Sequence, residues 1–83
     1  MGTETKLGTV RCYDNGGRTF DRYTVWFVEE DYGLLIGDTG NVANGVCMTT
    51  DIEPRDQARV SYDTLPEPVR RAVDDELLDN ATP

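Results

Sequence analysis

Two short segments of the sequence carry polar residues of the types that bind ligands. Residues 15–23 hold an Asn-Gly-Gly turn followed by the adjacent charged pair Asp21 and Arg22, and a carboxylate beside a guanidinium can orient a ligand or a partner. Residues 38–45 form a glycine- and asparagine-rich stretch, and loops of this length often carry function. The predicted binding residues are Asn15, Gly16, Gly17, Asp21, Arg22, Tyr23, Asp38, Thr39 and Asn44.

The second segment overlaps a Leu-Ile-Gly-Asp-Thr-Gly sequence at residues 35–40, which resembles the apolar-apolar-Asp-Thr-Gly signature of aspartic proteases. In those enzymes two such loops bring two carboxylates together to share a proton. Here Gly37 replaces the apolar residue before Asp38, and the chain has no histidine, no G-x-S-x-G and no phosphate-binding glycine loop that opens a helix. We therefore predict a plain turn at Asp38 and keep an aspartic-type hydrolase as the third alternative.

Runs of β-branched and aromatic residues predict the strands that position these segments. The predicted strands are residues 7–13, 19–28, 34–36, 46–49 and 58–62, with a hairpin turn at 14–18 and 19–28 as the central strand. Asp21 and Arg22 then fall inside that central strand, where adjacent side chains point to opposite faces. An edge position, a bulge or pairing with a neighbour such as Arg11 would explain them structurally, and a binding role is the alternative.

The C-terminal part of the sequence predicts one helix that begins near Pro66, because proline is tolerated in the first turn, where its missing N–H is not needed. Val69, Ala72, Val73 and Leu77 form an apolar stripe at helical spacing that should pack on the sheet. The predicted fold is therefore α+β: a small antiparallel sheet of four or five strands with one C-terminal helix packed on it. We expect a single domain over residues 1–83, with residues 1–6 and 79–83 frayed.

The chain is strongly acidic, with a net charge of −8 from 16 acidic and 8 basic residues. Such a charge disfavours direct binding to nucleic acid, because phosphate groups require a positive surface. Three interpretations remain open: a solvated surface that maintains solubility, adaptation to high salt, and an acidic decoy for the basic groove of a nucleic-acid-binding protein.

The remaining composition bears on location and cofactors. No apolar run approaches the roughly 20 residues that span a bilayer, and the N-terminus lacks the apolar stretch of a signal peptide, so we predict a soluble cytoplasmic protein without membrane contact. Cys12 and Cys47 are then expected to be reduced. With no histidine in the chain we predict no metal site and no cofactor. At this size a ligand would bind on a face, in a groove or between two copies, which leaves a homodimer as an alternative.

Residues 13–25 read Y-D-N-G-G-R-T-F-D-R-Y-T-V, and this segment resembles small uncharacterised phage and prophage proteins that carry a Y-D-N-G-G-x-T-x-D-R-Y-T-V sequence. Those proteins also tend to end in an L-P-x-x-V helix, to which residues 65–69 are similar. The pattern departs between the two motifs, where N-V-A-N-G at 41–45 replaces an expected Asn-Pro-rich loop ending in glycine. The resemblance implies a mobile-element or accessory gene product that acts by binding in the host cytosol.

We therefore predict a non-enzymatic accessory binding protein of phage or prophage type whose partner is a host protein. The principal alternative is a nucleotide or small-metabolite binding protein that uses residues 15–23 together with 38–45 as its pocket.

Overall fold

The computed structural model describes residues 9–40 and 48–81. For residues 79–81 it describes the backbone only. A five-stranded antiparallel sheet carries one C-terminal helix on one face, which confirms the predicted α+β fold. The elements are β1 Val10–Asp14, β2 Tyr23–Phe27, β3 Tyr32–Ile36, β4 Met48–Thr50, β5 Ala58–Val60 and α1 Glu67–Ala81, with a 3-10 turn at Tyr62–Thr64. The predicted frayed residues 1–6 lie outside the described residues, as do residues 82–83, while residues 79–81 continue α1.

The order of strands across the sheet is β4-β3-β2-β1-β5. The strand with the most aromatic and β-branched residues, β2, is the central one, as predicted, and all five of its residues are buried. Two consecutive hairpins join β1, β2 and β3. Because β4 and β5 lie at opposite edges, the residues between them, 51–57, must cross the sheet. We call residues 51–57 the crossing segment.

One face of the sheet, the helix face, holds the apolar core beneath α1. Side chains alternate along each strand, so every second residue contributes to this face. Val69 and Val73 are fully buried and Leu77 is 4% exposed, which confirms the predicted apolar stripe. The helix starts as expected, since the carbonyl of Pro66 accepts hydrogen bonds from the N–H groups of Val69 and Arg70, both at 3.0 Å. The strand residues packed in this core are Val10, Cys12, Tyr23, Val25, Phe27, Leu34 and Ile36.

Apart from Glu67 in its first turn, the carboxylate residues of α1 lie in its C-terminal half, where the helix dipole disfavours negative charge and where the last turn holds no basic residue. Two tyrosines offset this arrangement. The Tyr62 hydroxyl donates a hydrogen bond to Asp74 Oδ1 at 2.6 Å, and the Tyr32 hydroxyl donates one to Glu76. Burial, followed by the bond to Asp74, raises the pKa of Tyr62. These contacts attach the acidic half of the helix to the rest of the domain.

Several predicted strand boundaries are wrong. β1 continues to Asp14, one residue beyond its predicted end, and β3 begins at Tyr32 rather than at residue 34, because Tyr32 and Gly33 already pair with β2. The central strand begins at Tyr23, not at residue 19, so Asp21 and Arg22 lie in the connection between β1 and β2. The strand predicted over residues 58–62 ends at Val60, because Tyr62 begins the 3-10 turn that leads into α1. The predicted fourth strand is observed at Met48–Thr50, while its first two residues, 46 and 47, lie outside the described part of the chain.

Candidate functional site

The connection between β1 and β2 is organised by the side chain of Asn15. Its Nδ2 donates hydrogen bonds to Thr19 Oγ1 at 2.9 Å and to the Asp21 carbonyl at 3.1 Å, while its Oδ1 accepts from the N–H groups of Gly17 and Arg18. Gly16 and Gly17 have φ values of 81° and 86°, a region that favours glycine because it has no Cβ. The predicted binding residues Asn15, Gly16 and Gly17 therefore build the loop itself, and this geometry ends the strand pairing before Tyr23.

Arg22 pairs not with its neighbour Asp21 but with Asp14, at the end of β1, and Arg11 pairs with Glu53 rather than with Asp21. Arg22 Nε lies 2.8 Å from Asp14 Oδ1, and Arg22 Nη2 lies 3.1 Å from Oδ2. This bidentate hydrogen bonding lowers the pKa of Asp14 and raises the pKa of Arg22. The guanidinium also lies 5.4 Å from the centroid of the Tyr23 ring, close enough for a cation–π contact.

Residues 15–23 and the described part of the second segment, residues 38–40, lie at the same end of the sheet, because Asp14, Tyr23 and Ile36 are neighbours across β1, β2 and β3. Asp38 and Thr39 follow β3 in an exposed turn. The turn ends at Gly40, whose φ is 75° and where an added Cβ would lie 2.6 Å from the carbonyl oxygen of Pro68, so glycine is required for the turn to contact α1. The predicted site residue Asn44 lies outside the described residues.

A second polar site, which the sequence did not predict, lies on the sheet face opposite α1. We call this the crossing face. Its residues form two rows across the strands. The first row is Thr50, Gly33, Trp26 and Arg11, and the second row is Met48, Leu35, Thr24, Tyr13 and Arg59.

The crossing segment is attached to this face by Glu53. Arg11 donates two hydrogen bonds to its carboxylate, from Nε at 2.6 Å and from Nη2 at 2.8 Å, and the Tyr13 hydroxyl donates a third. The hydrogen bonds from Arg11 are the main cause that lowers the pKa of Glu53 to about 2. Burial, reinforced by the bond to Glu53, raises the pKa of Tyr13. The guanidinium of Arg59 lies 5.6 Å from the centroid of the Tyr13 ring. The ionisable groups of this cluster therefore satisfy one another.

Trp26 occupies the centre of the crossing face and is 5% exposed. Its ring lies over Gly33, the opposite residue on β3: a Cβ at Gly33 would be 3.0 Å from Trp26 Cε3. Beside the indole, the crossing segment borders an open cleft of about 550 Å³. The cleft is lined by Tyr13, Trp26, Asp51, Ile52, Glu53, Pro54 and Arg55.

No family model, curated protein or solved structure matches the chain. The resemblance to phage and prophage proteins therefore stays a prediction. What the site can do must be taken from its own geometry.

The cysteine within the described residues, Cys12, is protected from reaction. Cys12 is fully buried, and burial raises the pKa of its thiol to about 12, so it is held as the unreactive thiol. Within residues 9–40 and 48–81, no three His, Cys, Asp or Glu side chains are grouped so that they could hold a metal ion. Over the same residues, no helix is both long enough and apolar enough to cross a membrane.

Two large apolar side chains on or beside the crossing face are left in solvent. Met48 on β4 is 58% exposed, and Ile52 in the crossing segment is 73% exposed. Ile52 lines the same cleft as Trp26, and Met48 lies opposite Leu35. The sequence offered one signal for this surface: Arg11 and Tyr13 alternate with Val10 and Cys12, which indicates a strand with a second, partly polar face. It offered no signal for which of the acidic residues would pair with Arg11.

Proposed function

We propose that this protein is a non-enzymatic binding protein of phage or prophage type, which acts in the host cytosol by binding another protein through its crossing face. One observation carries the proposal: on that face the ionisable groups Arg11, Glu53 and Tyr13 are bonded to each other, whereas Met48 and Ile52 are exposed. A catalytic site needs polar groups aimed at a substrate. A protein interface needs exposed apolar and aromatic side chains inside a polar rim.

The surroundings of the two exposed side chains support a protein partner. Ile52 projects from a segment fixed by the bidentate ion pair of Glu53 with Arg11, so little conformational entropy is lost when a partner contacts it. Charged residues of the same segment, Asp51 and Arg55, flank it and would form the polar rim.

The test is a binding measurement with a matched pair of variants, Ile52→Ser and Leu78→Ser. Both replace an exposed apolar residue without changing the net charge, since Leu78 is 54% exposed on α1. Proteins from a bacterial host lysate that bind the immobilised wild-type chain are identified, purified and titrated individually. We expect Ile52→Ser to weaken the binding of the true partner about tenfold, as expected for loss of one buried aliphatic contact. Leu78→Ser should bind like the wild type.

Equal binding of the wild type and Ile52→Ser to every purified candidate would contradict the use of the crossing face. Thermal melting of each variant provides the control for folding, and both should melt within a few degrees of the wild type because the substituted side chains are exposed.

Binding of a nucleotide or small metabolite is the second candidate function. It is favoured by the position of residues 15–23 and 38–40 at one end of the sheet. A separate cavity of about 290 Å³ lies between the first segment and the residues that lead into β5, and it is lined by Asp14, Asn15, Gly16, Arg18, Asp56, Gln57 and Ala58. A thermal-shift screen with nucleotides and small anions tests it. A ligand that raises the melting temperature of the wild type but not of Arg18→Ala would support this function over protein binding.

A further inference from the structure

The β4 edge of the sheet differs from the edges of most sheets. Among the described strands β4 has a neighbour on one side only, β3. Exposed edges are usually protected against pairing with another chain by a short strand, charged residues, proline or a bulge, and of these β4 has only its short length. The three residues of β4, Met48, Thr49 and Thr50, include neither a charge nor a proline. At the opposite edge, β5 carries Arg59 at its centre.

The charges of the protein are also unevenly distributed. Residues 23–54, which include β2, β3 and β4, contain six acidic residues and no lysine or arginine. Glu30 and Asp31 precede β3 and are exposed, and Asp51 follows β4 and is exposed. Since β3 and β4 are antiparallel and Gly33 lies opposite Thr50, these three carboxylates gather at the same corner of the sheet. The arginines of the described residues lie in β1, β5, the adjoining loops and α1.

We infer that the β4 edge is the docking site for an extended, basic segment of the protein partner, which adds a strand beside β4. The inference rests on the proposed function and names the chemistry of its partner. Main-chain hydrogen bonds to β4 would supply affinity, as in other cases of strand addition. Met48 would contact an apolar side chain at one end of the added strand, while a lysine or arginine at its other end, beyond Thr50, would face Asp31 and Asp51.

A second copy of this chain is the other occupant to consider. Pairing two β4 edges would bring together two chains that each carry a net charge of −8, with acidic residues next to both edges. Repulsion between like charges opposes that pairing, whereas a basic partner is attracted. The charge distribution therefore favours the basic segment.

The experiment uses three labelled synthetic heptapeptides and fluorescence anisotropy. The first alternates valine and threonine between two terminal lysines; the second has glutamates in place of the lysines; the third is the lysine peptide with a central proline, which removes one N–H. The protein variants are Met48→Lys and Ala58→Lys. They change the net charge equally but place the lysine at opposite edges of the sheet, and Met48 and Ala58 are both exposed.

We expect the lysine peptide to bind the wild type at least about tenfold more tightly than either the glutamate or the proline peptide. Met48→Lys should weaken that binding about tenfold, and Ala58→Lys less than about twofold. Equal weakening by both variants would overturn the inference, because it would show attraction by net charge alone. Equal binding of the glutamate and lysine peptides would overturn it too.

Light scattering distinguishes the remaining outcome. A wild-type dimer that Met48→Lys converts to a monomer would assign the edge to a second copy and overturn the basic partner.

Failure of the proposed function can be distinguished from failure of this inference. If Ile52→Ser abolishes partner binding while Met48→Lys leaves it unchanged, the partner contacts the crossing face and only the inference about the edge is overturned. If neither substitution changes the binding of any purified candidate, the proposed function fails as well.

Discussion

The two faces of the sheet are covered by different means. On the helix face, α1 presents an apolar stripe that repeats every three or four residues, and Val69, Val73 and Leu77 bury it in a continuous core. On the crossing face, an irregular segment is attached through Glu53 to Arg11 and Tyr13. Apolar burial has no direction and tolerates many arrangements, whereas an ion pair fixes one segment in one position. The difference indicates that the helix face supplies most of the stability and that the crossing face determines the shape of the surface.

The largest effect that tests this difference is expected from Val73→Asp. The side chain of Val73 is completely buried, so an aspartate there would be an unpaired charge in the core, at a cost of about 4 kcal/mol or more. That cost is comparable with the total stability of a small domain, and we expect the variant to be unfolded by circular dichroism. Leu78→Asp is the control on the same helix, since Leu78 is 54% exposed. A folded Val73→Asp variant would show that the helix is not needed on this face.

A smaller effect is expected on the crossing face from Gly33→Ala. The new Cβ would lie 3.0 Å from Trp26 Cε3 and 3.1 Å from Thr50 Cγ2, so the indole must move. Overpacking of this kind costs about 1–2 kcal/mol, measured as a lower free energy of unfolding in urea. Because Trp26 is the only tryptophan, its fluorescence reports the displacement directly. The same substitution in a Trp26→Leu background should cost clearly less, and an equal cost would mean that the indole is not the obstacle.

The ion pair itself is tested by Glu53→Gln and by pH. The pKa of Glu53 is lowered from 4.5 to about 2 in the folded protein, chiefly by its hydrogen bonds from Arg11. The stabilisation from this carboxylate is therefore complete above pH 4.5 and is lost as the pH falls toward 2. Since both partners are partly exposed, we expect Glu53→Gln to cost about 1–2 kcal/mol at neutral pH. Melting curves of the wild type and the variant should converge in acid, and a difference that persists unchanged near pH 2 would contradict the assignment.

The smallest effects are expected in the connection between β1 and β2. Arg22→Gln removes the pair with Asp14, which lies only 8 residues away in the same hairpin. Asp14 Oδ1 still accepts a hydrogen bond from the N–H of Gly16, so the melting temperature should fall by only about 2 °C. Asp21→Asn keeps the backbone carbonyl that accepts from Asn15 Nδ2 and should leave the melting temperature unchanged. If Asp21→Asn lowered the melting temperature as much as Glu53→Gln, this loop would contribute to stability as strongly as the ion pair on the crossing face, which contradicts the expectation.

Several parts of the fold were predictable because they depend on local patterns. The aromatic and β-branched content of β2 indicated the central strand, and the spacing of Val69, Val73 and Leu77 indicated the packed side of the helix. The boundary at Tyr23 was not predictable, because Thr19 and Phe20 have strand-forming character and extend the run of residues 23–28. In the structure the side chain of Asn15 binds Thr19 Oγ1 and the Asp21 carbonyl, and these bonds replace strand pairing.

The sequence by itself determined the α+β class, the central strand, the apolar stripe of α1 and the acidic charge of the chain. These features follow from the composition and from the spacing of apolar residues along the chain, which depend on neighbouring residues and not on distant ones. Only the tertiary structure decided that β4 and β5 lie at opposite edges, that residues 51–57 therefore cross the sheet, and that Glu53 is the partner of Arg11. Arg11 and Glu53 are separated by 42 residues. Any carboxylate that the folded chain brought within reach could have paired with that guanidinium, and the order of the strands selected this one.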